Sequence, residues 1–225
     1  KQKILGDQSM SAALGIPIKR RKDAPKTYTV PDVRRKSAVQ RPKVETEEPF
    51  QPEPTLPEAE YECILDIVQN MVAVMERSPQ AFAEMGEEDL RSHFLVQLNG
   101  QYEGQATGET FNFSGKTDIL IRVYGRNIFI GECKFWTGPK GLTDAIDQLL
   151  GYASWRDTKT AILVFNRNKN FGAVLAKIPG VVEKHPCFKR EISRDGETNF
   201  RYVFHQPSDP NRELLLTVLA FDIPK

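Results

Sequence analysis

The stretch "TAILVFN", residues 160–166, constrains this chain most. A short run that is nearly all apolar is stable only as a strand covered on both faces, which is how strands of a parallel sheet are placed. Ahead of it, "GLTDAIDQLLGYASWR" sets Leu142, Ile146, Leu149, Leu150 and Ala153 on one helical face, and before that comes the strand-like "RNIFIGECKFW". The order strand, helix, strand implies a right-handed crossover between parallel neighbours. This predicts an α/β domain with a mixed sheet, helices on its faces and a helical lead-in.

The flanking segments fit that frame. "EAEYECILDIVQNMVAVMERS" repeats apolar residues at Tyr61, Ile64, Leu65, Val68, Met71, Val72 and Met75, the spacing of a helix with one buried stripe. "EEDLRSHFLVQLN" continues with Leu90, Phe94, Leu95 and Leu98, and Asn99-Gly100 reads as its stop. "ETFNF", "KTDILIRVY" and "RNIFIGECKFW" read as a three-stranded meander. After "TAILVFN" a helix over about residues 171–184, interrupted near Pro179-Gly180, precedes the strands "FKREI", "FRYVFH" and "ELLLTVLAFDI".

Charge is segregated along the chain. Residues 1–44 carry 12 Lys and Arg against 3 Asp and Glu, whereas residues 45–103 carry 2 against 14. The net charge of +1 hides both patches. The first 56 residues are rich in Pro and charge without apolar periodicity, the composition of an extended arm or linker, and the arm is a candidate for docking another protein or domain. The longest apolar stretches are about half of what a membrane helix needs, so we expect no membrane contact and a cytoplasmic protein. Cys63, Cys133 and Cys187 lack the spacing of a disulfide framework or a thiolate zinc site.

Two charges interrupt the strand "NIFIGECKFW". Alternation puts Ile128, Ile130, Glu132 and Lys134 on one face, with Phe129, Gly131, Cys133 and Phe135 on the other. An exposed Glu–Lys pair would be worth little, but Ile128 and Ile130 mark this face as one that a helix covers. Asp118 opens the preceding strand and lies near Glu132 if the two strands form a hairpin through Gly125. It shares the face only if paired residue numbers sum to an even value. A two-residue turn at Gly125-Arg126 gives 251, so the spacing predicts a three-residue loop or a bulge, with Gly125 left-handed. Two carboxylates converging with a lysine suit Mg²⁺ chemistry at phosphate: the ion takes one or two carboxylates and keeps waters, and the lysine offsets charge on the phosphoryl group.

"TD", a gap of thirteen residues, then "ECK" resembles the PD-(D/E)xK signature of the restriction-endonuclease-like nuclease superfamily, with Thr117 where Pro is usual. "DQLLGY" adds Gln148 and Tyr152, similar to the QxxxY element of several branches. The resemblance covers about residues 86–170 and implies a restriction-endonuclease-like domain over residues 57–225. Asp118 and Glu132 would hold Mg²⁺ or Mn²⁺ together with the backbone carbonyl of Cys133, and Lys134 would act on water and transition state. Gln148 and Tyr152 would position these groups. Many members add an acidic residue from a helix ahead of the sheet; here that is Glu87, on the core-facing stripe, or Glu88.

The expected function is therefore a metal-dependent endonuclease that hydrolyses DNA phosphodiesters. The resemblance makes a homodimer and a role in prokaryotic defence, restriction or repair plausible. Lys116, Lys140 and Arg156, with Arg122, Trp136, Trp155, Arg167 and Lys169, are candidates to line the nucleic acid. The alternatives are a nuclease-like binding or assembly module without catalysis, and an enzyme directed at RNA.

Overall fold

The computed structural model describes residues 56–102, 106–107, 110–112, 115–123, 126–154 and 158–224. Apart from Leu56, which is buried in the core, the expected arm lies outside these residues. Helix α1, Glu58–Arg77, buries Tyr61, Ile64, Leu65, Val68, Val72 and Met75, the stripe its periodicity marks. Helix α2, Glu87–Gln101, begins where the Asp89 carboxylate accepts from the Gly86 N–H at 2.9 Å. It runs through Gly100 rather than stopping at Asn99, because the Asn99 side chain is used instead to accept from Ala106 N at 2.9 Å, tying the helix to the next strand.

Strands β1, Ala106–Thr107, β2, Thr110–Asn112, β3, Gly115–Thr117, β4, Ile119–Val123, and β5, Arg126–Phe135, follow. The expected three-strand meander is only half right. "KTDILIRVY" breaks at Asp118 into β3 and β4, and β2 pairs with β3 in a separate antiparallel ribbon. Helix α3, Pro139–Tyr152, then crosses over to β6, Lys159–Asn166, which is parallel to β5 and buried at every position. Two short helices, α4, Phe171–Leu175, and α5, Ile178–Val182, replace the single interrupted helix. The break falls at residues 176–177, and Pro179 takes the second position of α5, in the first turn, where its missing N–H costs nothing. Strands β7, Phe188–Asp195, β8, Asn199–Gln206, and β9, Asp209–Asp222, complete a seven-stranded sheet in the order β1-β4-β5-β6-β9-β8-β7. Its centre, β5-β6-β9, is parallel and its flanks are antiparallel.

Parity along the strands assigns residues to two cores. Ile119, Ile121, Phe129, Cys133, Leu163 and Phe165 pack under α1 and α2. Leu120, Ile130, Ile162, Val164 and Val218 pack under α3 and the short helices. Tyr61 locks α1 onto the sheet: its buried hydroxyl donates to the Thr160 carbonyl at 2.8 Å and lies 2.6 Å from the Thr217 hydroxyl. The partners sit on β6 and β9, so α1 is keyed to the parallel centre of the sheet, of which β5, the strand that carries Glu132 and Lys134, is the third member.

The β4–β5 register decides what shares a face with what. Near the turn, Val123 pairs with Arg126 and Arg122 with Asn127, an odd sum that would send Asp118 to the wrong side. A bulge between Ile121 and Arg122 leaves Ile128 as the extra residue, and from Ile121↔Phe129 to Ile119↔Gly131 the sum is even. The bulge thus supplies the parity that the expectation required; Gly125 itself lies outside the described residues.

Candidate active site

Beyond Ile119↔Gly131 strand β4 stops, while β5 continues for four residues. In an antiparallel ladder alternate residues aim their N–H and C=O at the same neighbour. Strand β5 therefore presents Cys133 and Phe135 to an edge on which no strand pairs among the described residues, and such groups need partners. Two carboxylates supply them. Asp118 Oδ2 accepts from Cys133 N at 2.9 Å, and Glu87 Oε1 accepts from Phe135 N at 2.7 Å. The same geometry leaves the Cys133 carbonyl on that edge. The truncated strand is thus what brings acidic side chains from the β3–β4 break and from α2 to one place.

On the α3 side of β5, Glu132 is fully buried. Its Oε1 accepts from Gln148 Nε2 at 2.6 Å and from Lys134 Nζ at 3.2 Å, while Oε2 is buried without a hydrogen-bond partner. Burial first, and the facing Asp118 carboxylate second, push the Glu132 acid up to about 8; Lys134 offsets only part of this. Burial opposes the charge of Lys134, but the carboxylates of Glu132, Glu87 and Asp118 outweigh it and hold the ammonium above the ordinary lysine value. Its Nζ lies 3.8 Å from Glu87 Oε2. Gln148 also donates to Tyr152 Oη at 2.8 Å, so the two residues spaced four apart on α3 act as a short relay ending at Glu132. Burial raises the Tyr152 phenol as well.

The structure thus brings Asp118, Glu132, Lys134, Gln148, Tyr152 and Glu87 to one end of the β4–β5 pair. The Cys133 thiol faces away into the α1–α2 core, where burial raises its pKa, so only its backbone can serve the site. Among the described residues no three His, Cys, Asp or Glu side chains gather into a metal-holding group. The reason is visible for Glu87, whose second oxygen is turned to Lys134 while the first caps β5. Asp118 is engaged likewise, Oδ1 by Arg91 and Oδ2 by the Cys133 N–H, so Glu132 Oε2 is the carboxylate oxygen of this group without a partner. A carboxylate oxygen that accepts one hydrogen bond keeps a second lone pair, and Asp118, Glu132 and the Cys133 carbonyl would supply the small protein share of ligands that Mg²⁺ takes. The orphaned Glu132 Oε2 and the raised acid mark a carboxylate whose anion lacks a partner in the protein, a partner that a divalent cation would supply, so the residues fit the ion.

Sequence reasoning missed Arg91. It projects from α2, is 9% exposed, and its Nη1 donates to Asp118 Oδ1 at 3.0 Å. A signal existed: Arg91 is one of two basic residues among residues 45–103, and it stands four positions after Glu87. Of the candidate nucleic-acid contacts, Lys140 is exposed and paired with Asp144 at 2.7 Å. Trp136 is half-buried and Lys169 exposed. The Lys116 side chain and residues Trp155 and Arg156 lie outside what is described. Arg167 differs from expectation. Its guanidinium stacks 3.9 Å from the Phe135 ring centre and donates to the carbonyls of Phe82 and Met85, so it pins the loop ahead of α2. No family model, curated protein or solved structure matches this chain.

Proposed function

We propose that this chain is a divalent-metal-dependent endonuclease of the PD-(D/E)xK kind, with a restriction-endonuclease-like fold, acting on DNA. The observation that carries the reading is the convergence of Asp118, Glu132 and Lys134 on one strand end, with Glu132 buried and one of its oxygens unpartnered. A buried carboxylate left in that condition is costly, and no packing requirement calls for one here. Asp118, Glu132 and the Cys133 carbonyl would hold Mg²⁺ or Mn²⁺. The bound ion supplies Lewis-acid polarisation of a phosphate oxygen and lowers the pKa of water.

The protein's own groups do the rest. Lys134, kept protonated by three carboxylates, donates to a phosphate oxygen and offsets charge growing there in the transition state. Gln148 holds the Glu132 carboxylate in one orientation, and Tyr152 fixes Gln148 in turn. Arg91 and the Cys133 N–H hold the Asp118 carboxylate in place. Glu87 steadies both the end of β5 and the Lys134 ammonium. A place in prokaryotic defence or restriction rests on the sequence resemblance alone.

The test is cleavage of supercoiled plasmid with Mg²⁺ by wild type and by Lys134→Ala. Removing a charged transition-state donor of this type is expected to cost about 10² to 10³ in rate. Equal cleavage by both proteins, or none by either with Mg²⁺ or Mn²⁺, overturns the assignment, and a parallel RNA substrate decides between nucleic acids.

One observation favours a second reading, a nuclease-like binding or assembly module. The Arg91–Asp118 pair neutralises a carboxylate that the metal would use. Calorimetric titration with Mg²⁺ separates the two, because the module reading predicts no heat of binding.

A further inference from the structure

A groove of about 420 Å³ opens between the first turn of α3 and helix α5, lined by Pro139, Thr143, Ala176, Lys177, Val181 and Lys184 among others. Gly141 and Leu142 border a small cavity together with Lys134 and Trp136, and Pro139 and Thr143 lie within the same helical turn.

The charge around the groove is unusual for this molecule. Lys134, Lys140, Lys159 and Lys189 each pair with a carboxylate. Lys169, Lys177 and Lys184 are exposed and have no carboxylate partner among the described residues, and all three belong to the segment joining β6 to β7. Of the nearby carboxylates, Asp144 pairs with Lys140 at 2.7 Å and Asp147 lies 3.1 Å from His185 Nε2, while Glu183, next to Lys184 in sequence, is exposed. Two cations that have no carboxylate partner among the described residues thus line one concave surface, whose α3 side belongs to the helix turn that follows the candidate site.

We propose that this groove is a second phosphate subsite, holding the backbone of the DNA a few nucleotides from the bond to be cut. The proposal rests on the nuclease reading for the identity of the polyanion. Positive charge without internal partners binds phosphate backbone by releasing condensed counterions, with each neutralised phosphate adding about 0.9 to the salt slope on duplex DNA. Lys177 and Lys184 together then account for a slope of about 2.

The experiment is fluorescence anisotropy of a fluorescein-labelled DNA duplex with the full chain in EDTA, over a salt series, where no cleavage intervenes. Lys177→Ala/Lys184→Ala should bind roughly tenfold more weakly at low salt and lose about 2 from the slope. Arg190→Ala/Arg194→Ala, removing two cations of β7, should leave both quantities near wild type. Melting temperatures of both variants check the fold, and Lys177→Gln/Lys184→Gln serves as a second pair. An unchanged slope in the groove variants, an equal loss in the β7 variant, or no duplex binding by wild type overturns the subsite. The nuclease reading is judged separately by Lys134-dependent plasmid cleavage, which can succeed when the groove variants bind normally and fail when they do not.

Discussion

Glu132→Gln isolates the charge that the candidate site is built to hold. In the metal-free protein burial and the Asp118 carboxylate disfavour the Glu132 anion and push its acid up from an ordinary 4.5 to about 8. The folded state therefore binds a proton more tightly than the unfolded chain. Stability from this group is complete below the unfolded value and is lost as pH rises from 4.5 through about 8. At about 1.4 kcal/mol per pH unit, that interval caps the loss at about 5 kcal/mol. Relaxation and the contacts from Gln148 and Lys134 reduce the expected net effect to about 2 kcal/mol.

Glutamine keeps the shape and can still accept from Gln148, but removes the charge. In EDTA near pH 9, Glu132→Gln should therefore melt about 4 to 8 °C above wild type, while near pH 5 the two should nearly coincide. Adding Mg²⁺ at about 100 times its dissociation constant should stabilise wild type by about 2.7 kcal/mol and leave the variant unmoved. The variant should also lose plasmid cleavage. Circular dichroism melts at the two pH values, with and without the ion, give all four numbers. If the variant is no more stable than wild type at high pH in EDTA, burial of an uncompensated anion is not what the site contains. If Mg²⁺ stabilises both proteins equally, Glu132 does not hold it.

Two further perturbations address the supports of the site. Arg91→Met leaves the Asp118 carboxylate without its guanidinium and should destabilise the metal-free protein by about 3 kcal/mol, read by urea unfolding in EDTA. Mg²⁺ should restore more stability to this variant than to wild type, and an unchanged midpoint in EDTA would remove Arg91 from the site's electrostatics. Gly131→Ala would place a Cβ 3.2 Å from both Ile119 Cβ and Phe129 Cε1, so Ile119 on β4 and the Phe129 ring must give by a few tenths of an ångström, at about 1 to 3 kcal/mol. Because Asp118 depends on that pairing, cleavage should fall more than stability alone explains; wild-type activity in a folded Gly131→Ala protein would refute the dependence.

How much of this was legible in the sequence depends on how far apart the interacting residues lie. The α1 stripe, the amphipathic α3 and the buried β6 follow from spacing within single segments, and the structure places them where periodicity puts them. Glu132 and Lys134 share a face by alternation alone, and Gln148 reaches them because α3 is the covering helix. Features set by distant partners were hidden. Arg91 resembles a solvent-facing arginine until Asp118, 27 positions later, is brought to it. Arg167 resembles a nucleic-acid contact until the carbonyls of Phe82 and Met85 close around it.

The register shows where the boundary falls. Sequence logic could state that Asp118 needs an even pairing sum, because side-chain period in a strand is two. It could not choose between a longer loop and a bulge, since either restores parity. The structure adopts an odd pairing near the turn and corrects it at Ile128, and the strand then stops at Ile119 so that Asp118 can turn its carboxylate to the Cys133 N–H. Bulge and early stop do different jobs: one brings Asp118 to the correct face, and the other frees the β5 edge on which Glu87 also lands. A longer β4 with perfect parity would have paired Cys133 with backbone, and the acidic residues of the candidate site would have had no edge to cap.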